Sequence, residues 1–248
     1  MNERQTNNAP LLRRHGKRHQ FAFTLIELLV VIGIISVLAA LVIPLSKVAT
    51  TKMRFARVNA ELNHYANAIE NYKLEAGEYP PDNPLLKTLD HNTPQWTNAA
   101  YMNPLYYELS GAVFTNKNGR NLFIVLDNND EIESSLLKKY FGVEGIRNSA
   151  RNRHDRPFKG FAFREAQHEK IYTAGADAVE LLASPVPGPQ MIDGQPKNPA
   201  KPNPSQKIKF NPWYYDASST NRHNSRSFDL WTEITIGRDV QVIGNWKS

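Results

Sequence analysis

No cysteine occurs anywhere in the 248 residues. Disulfide stapling and thiolate nucleophiles are therefore excluded, while either face of a bacterial inner membrane stays open as a location. Catalytic signatures are also missing. Of the histidines, His15, His19, His64, His91, His154, His168 and His223, one pair, His15 and His19, has His-x-x-x-His spacing, but it sits among Arg13, Arg14, Lys17 and Arg18, which repel a metal cation; there is neither a glycine-rich phosphate loop nor a nucleophile elbow. Ser135-Leu136-Leu137-Lys138 fits Ser-x-x-Lys, but the partner motifs that would make it a nucleophile and base are absent. The chain reads as a non-enzyme without internal repeats.

What is present begins with an uneven charge distribution. The formal net charge is +6, yet most of it lies in the first 22 residues, where Arg4, Arg13, Arg14, Lys17 and Arg18 face only Glu3. The remainder is close to neutral, so the basic pI is no signature of nucleic-acid binding. Instead the positive end adjoins an apolar run, where it sets membrane orientation with the basic end in the cytoplasm. From Phe21 to Leu45 one charge occurs, Glu27. A helix of that length spans roughly 37 Å at about 1.5 Å per residue, enough to cross a bilayer. A cleaved secretory signal, ending near Val37-Leu38-Ala39, has an apolar region of only about 7–15 residues and no acid. An inert anchor also avoids a carboxylate, because a charge at membrane depth costs about 2.5–3.5 kcal/mol. Glu27 therefore requires a partner, which favours a helix that assembles with others.

The run Phe23-Thr24-Leu25-Ile26-Glu27-Leu28-Leu29-Val30-Val31-Ile32 resembles the prepilin N-terminal motif of type IV pilins and type II secretion pseudopilins. The resemblance implies cleavage between Ala22 and Phe23 by a membrane prepilin peptidase, N-methylation of Phe23, and assembly through Glu27, fifth residue of the mature chain. By that resemblance the Glu27 carboxylate pairs with the α-amino group of a neighbouring subunit's Phe23, neutralising a charge otherwise buried alone. The family nearly always carries glycine where this chain has Ala22, and many of its leaders are shorter. Pro44 stands where pilin helices commonly carry proline; it either lends the helix compliance for filament packing or marks the membrane exit.

Beyond Pro44, Phe55, Val58, Leu62, Tyr65, Ile69 and Tyr72 recur at helical spacing and predict an amphipathic helix, with Lys52, Arg54, Arg57, Glu61, Asn63, Glu70 and Lys73 on its polar face. Gly77 is its expected stop, and Gly77 to Pro80 resembles the end of the long helix in type II major pseudopilins. Residues 82–119 read as irregular with short helical turns, Asn121 to Leu126 as a strand, and Glu131 to Phe141 as a helix. Seven prolines fall between Ala183 and Pro204, which predicts a loop. Ile208 to Tyr215, Phe228 to Ile236 and Val240 to Trp246 predict a C-terminal antiparallel sheet.

Two clusters invite ligands. Asn211-Pro212-Trp213-Tyr214-Tyr215 and Phe228-Asp229-Leu230-Trp231-Thr232 partly resemble the major pseudopilin signature, whose C-terminal loop binds calcium. Its nearest match here is Thr235 to Val240. Asp229 and Asp239, with Asp216, are the candidate ligands, and calcium is the one cofactor considered; the alternative is that these aspartates cap turns. Arg147, Arg151, Arg153, Arg156, Lys159 and Arg164, interleaved with Phe158, Phe161 and Phe163, have the composition of a nucleic-acid surface. Asp155, Glu165 and Glu169 dilute that field, and the reading adopted is a solvated face with core phenylalanines and no nucleic-acid partner.

The expected fold is α+β: a long N-terminal helix, transmembrane and then amphipathic, packed on a small domain with the C-terminal sheet. Its segments are a basic leader (1–22), a transmembrane assembly helix (23–44), an amphipathic extension (45–77), a variable α/β region (78–182), a proline-rich loop (183–204) and a C-terminal β region (205–248). The function implied is a structural subunit of a type II secretion pseudopilus, in the inner membrane with a cytoplasmic N-terminus and periplasmic domain. Its partners would be prepilin peptidase, further copies of itself, other pseudopilins, secretion-system inner-membrane proteins and membrane lipid. The alternatives are a type IV pilin for adhesion or DNA uptake, and a membrane-anchored enzyme or binding module with a pilin-like anchor.

Overall fold

The computed structural model describes residues 24–150, 160–172, 177–189, 192–194 and 208–246. The chain divides into two compact units, Met1–Ala49 and Thr50–Ser248. The first helix, α1 (Leu25–Ala76), contributes to both. Pro44 does not end it: the helical backbone continues for more than thirty residues beyond. Its stop is at Gly77, whose φ of +81° is a left-handed value that glycine adopts without a Cβ clash, and whose N–H donates to the Lys73 carbonyl at 2.8 Å.

In the second unit, α1 buries Val58, Leu62, Tyr65, Ile69 and Tyr72, the stripe expected from spacing. Glu61 departs from expectation. Although its neighbours in sequence suggest the polar face, it is buried, 3.4 Å from the Ser184 hydroxyl and 3.5 Å from Arg57 Nε. Burial raises its carboxyl above the usual range, against the opposing pull of Arg57.

The region 82–119 is more regular than expected. A 3-10 turn at Pro84–Lys87 precedes α2 (Pro94–Tyr101), which starts with the Thr93 hydroxyl accepting from Trp96 N and proline in its first turn. Helix α3 (Leu105–Ser110) is entirely buried. The first sheet joins β1 (Ala112–Lys117), β2 (Arg120–Val125), β3 (Glu131–Glu133) and β4 (Ser149–Ala150) in the order β3-β2-β1-β4. The start of the expected helix at Glu131 is instead strand, because Ile132 pairs with Phe123 across β2 and is buried there. Helix α4 occupies only Ser134–Phe141 and ends on left-handed Gly142.

A second sheet, in the order β5-β6-β8-β7, contains β5 (His168–Tyr172), β6 (Ala178–Ser184), β7 (Ile192–Gly194) and β8 (Ile208–Pro212). Two of its strands thus run into the span expected as a proline-rich loop: β6 ends in it and β7 lies within it. The third sheet is the expected C-terminal one: β9 (Tyr214–Asp216), β10 (Asp229–Ile236) and β11 (Asp239–Gly244), antiparallel in the order β11-β10-β9. Trp213 breaks the expected strand at 208–215 between β8 and β9; it is buried, edge-on to Tyr65 of α1 at 5.3 Å. The fold is α+β, with the main core between the second half of α1 and these sheets. A separate cluster of Leu86, Trp96, Ala99, Ala100, Tyr214 and Trp231 joins α2 to the third sheet.

Candidate functional site

The start of α1 is built from two residues that satisfy one another. Thr24 stands just before the helix, and its backbone N–H and hydroxyl both donate to Glu27 Oε2, at 2.9 and 2.7 Å. In return the Thr24 hydroxyl oxygen accepts from Glu27 N at 3.3 Å. This is the reciprocal capping arrangement that a Thr-x-x-Glu sequence provides, and it also sets a negative group at the positive end of the helix.

Along the next turns the surface is apolar on every side. Leu25, Ile26, Leu28, Leu29, Val30, Val31 and Ile32 are all exposed, from 82% for Leu25 to 45% for Val31. A helix apolar all round is stable only when lipid or other protein surrounds it. Its few hydroxyls are turned inward: Ser36 Oγ donates to the Ile32 carbonyl at 2.7 Å and Ser46 Oγ to Val42 at 3.0 Å. Glu27 is the only charge in this run. Among the described residues no helix is long and apolar enough to cross a membrane. The side chains of Leu41 and residues 43–45, which fall within the apolar run, lie outside the described ones. A bilayer crossing therefore rests on the sequence.

Ala22 and Phe23, the expected cleavage and methylation positions, lie outside the described residues, as does the leader before them. The Pro44 side chain does as well. Glu27 is thus the one expected assembly residue whose side-chain geometry is on view.

The candidate calcium ligands are not brought together. Asp229 pairs with Asp216 at one end of β10, whereas Asp239 pairs with Ile236 at the other, roughly 23 Å away at about 3.3 Å per strand residue. Asp229 is buried and accepts from the backbone N–H groups of His223 at 2.6 Å and Asn224 at 2.9 Å. Asp216 accepts from Ser218 N and Ser219 N. Both carboxylates tie up turns. Among the described residues no group of three or more His, Asp and Glu side chains is placed to hold a metal.

Of the basic aromatic stretch, Arg151 to Lys159 lie outside the described residues. Phe161 and Phe163 pack against the main core, 6.2 and 5.9 Å from the Tyr65 ring. Arg147 pairs with exposed Glu78. A buried polar network that sequence reasoning missed centres on Glu108 of α3, which accepts from Tyr72 Oη at 2.9 Å, Arg147 N at 2.8 Å and Asn148 N at 3.0 Å. Burial raises its carboxyl in spite of these bonds. Only its position inside a six-residue apolar helix, Leu-Tyr-Tyr-Glu-Leu-Ser, hinted at it.

In comparison with known families, residues 17–43 fit the model described as the prokaryotic N-terminal methylation motif. No curated protein and no solved structure matches the chain. The matched segment spans the Ala22–Phe23 bond, Glu27 and nearly all of the apolar run from Phe21 to Leu45. It is the segment on which the resemblance to prepilins rests, and a motif of this type is consistent with a prepilin-type, pilin-like protein.

Proposed function

We propose that this prepilin-type chain is a structural subunit of a type II secretion pseudopilus, cut after Ala22, methylated at Phe23 and polymerised through the start of α1. The observation that carries the reading is the N-terminal methylation motif over residues 17–43, ending in an apolar helix whose sole charge, Glu27, sits at its mouth. In the precursor that charge is satisfied by Thr24 of its own chain. After cleavage, the new α-amino group of a neighbouring Phe23 supplies the opposite charge, and a buried pair of this kind fixes register between subunits because either partner left alone is costly. Lipid or neighbouring helices cover the exposed apolar surface of Leu25 through Ile35. Residues 23–44 cross the inner membrane with the basic leader in the cytoplasm and the second unit in the periplasm. Prepilin peptidase, further copies of the chain, other pseudopilins and secretion-system membrane proteins are the partners that follow. A secretion role, rather than a pilus for adhesion or DNA uptake, is supported by the helix stop at Gly77 followed by Tyr79-Pro80. There Tyr79 packs edge-on to Phe228 at 5.2 Å and Pro80 O accepts from Tyr215 Oη at 2.9 Å.

The test is Glu27→Gln followed through two readouts, membrane fractionation and cross-linking of subunits into filaments. Insertion should be retained and incorporation lost at least ten-fold. Normal incorporation of the Gln variant would remove charge pairing from the account.

A further inference from the structure

The third sheet carries a lined cavity on one face. Strand pairing sets Tyr214 opposite Trp231, and Trp231 opposite Gly244. Asp216 faces Asp229, and Glu233 faces Val242, so all of these share that face. Helix α2 lays Trp96 parallel to Trp231, with ring centres 5.9 Å apart and planes at 16°. Trp246 folds back over Gly244 and meets Trp231 edge-on at 5.8 Å. A side chain at position 244 would not permit this, since a Cβ there would lie 2.5 Å from the Trp246 ring. On its other side Trp246 is stacked by His223, at 4.1 Å and 3°, and His223 is itself held by Asp229 through Nδ1 at 3.1 Å. Three of the four tryptophans in the chain therefore line one cavity of about 350 Å³.

Its permanent charges are of one sign. Asp216, Asp229 and Glu233 line it together with His91 and His223, and neither lysine nor arginine does. Asp216 and Asp229 are occupied by turn amides. Glu233 differs: among the described residues its carboxylate has no hydrogen-bond or ion-pair partner, and burial raises its pKa with nothing opposing. A half-buried carboxylate beside indole rings lacks only a cation. A neutral sugar would stack on the rings but leave that charge uncompensated, and a metal ion would find one free carboxylate where it needs several oxygens.

We propose that this cavity binds an organic cation, with an alkylammonium group seated against Trp231 and Trp246 and Glu233 as its counter-ion. Ammonium groups are attracted to the electron-rich faces of tryptophan rings, more strongly as water is excluded, and an adjacent carboxylate adds charge pairing. The cavity is large enough for a trimethylammonium head or the end of a lysine-like chain.

The experiment titrates the detergent-solubilised full chain with choline chloride or n-butylammonium chloride, read by tryptophan fluorescence and calorimetry, with sodium chloride at matched ionic strength and glucose as controls. A saturable response to at least one cation is expected. Choline alone would assign a quaternary ammonium ligand, and n-butylammonium alone a primary amine; either upholds the proposal. Glu233→Gln should weaken binding at least ten-fold while circular dichroism stays unchanged, and Trp246→Ala should do the same. No saturable response to either cation overturns the proposal. So does undiminished binding by Glu233→Gln, or saturation by glucose in place of the cations.

Discussion

Glu27 and Glu108 show two ways a carboxylate is held in apolar surroundings. Glu27 borrows its nearest donors from Thr24, three residues away, so its satisfaction needs nothing beyond a local sequence. Glu108 is satisfied only by tertiary structure, with donors from α1 and from residues 147–148. Accordingly Glu27 was legible in the sequence as a lone charge, while Glu108, in the stretch 82–119 read as irregular, was not singled out. Replacing Glu108 by Ala would remove the shared acceptor of Tyr72 Oη and the Arg147 and Asn148 amides, and at about 1–3 kcal/mol for a buried donor that loses its partner a loss on the order of 3 kcal/mol is expected. Urea unfolding of the full chain in detergent would read it as a lowered midpoint at constant slope. At the other site, Thr24→Val keeps the side-chain shape but removes the hydroxyl, costing about 1 kcal/mol of helix start. Amide exchange at Glu27 and Leu28 should then quicken several-fold, while exchange near Tyr65 stays unchanged.

The elements divide by how local their causes are. The second half of α1 was legible because Val58, Leu62, Tyr65, Ile69 and Tyr72 repeat a helical period and all five are buried. The antiparallel C-terminal sheet was legible because β10 and β11 are β-branched and aromatic runs separated only by Gly237-Arg238. Helix α2 carried a readable signal, Thr93 followed by Pro94, that is easily lost among the prolines around it. Glu131–Glu133 could not be read as strand, since its state is decided by pairing with β2 rather than by its own composition. The β5–β6 pairing likewise joins residues whose partners are fixed by the whole fold. Two tests belong at this scale. Ile69→Ala removes a fully buried side chain from the face of α1 and should cost about 2–5 kcal/mol. Gly77→Ala meets no neighbouring atom within 4 Å, so its whole effect is the left-handed φ, a smaller loss of roughly 1 kcal/mol. Thermal unfolding should therefore show a clearly larger fall for Ile69→Ala.

For the molecule as a whole, pH dependence follows from three buried carboxyls, Glu61, Asp82 and Glu108, each raised chiefly by burial. A raised folded-state pKa means that the native chain holds protons which the unfolded chain has released. Stability from these groups is therefore fully present below the ordinary carboxylate range and is lost as pH rises through the folded values. Glu180 acts in the opposite sense: burial would raise it, but its bond to His168 and other partners bring it below the usual value. The raised groups, which include half-buried Glu233, give stability a downward slope from pH 5 to pH 7, opposed by Glu180 and by Glu144 and Asp177, which their lysine partners lower. Glu108→Gln should flatten that slope, and an unchanged slope would refute the assignment.

The two units have different demands. The second folds around a core of its own, whereas the first exposes an apolar helix that only a bilayer or a polymer satisfies. The proposed cut at the Ala22–Phe23 bond would create the amino group that Glu27 is proposed to meet. Intact-mass and N-terminal peptide mass spectrometry of the membrane-extracted protein tests this most directly. The account predicts a chain beginning at N-methylated Phe23; one retaining Met1, or beginning near Ala40, would contradict it.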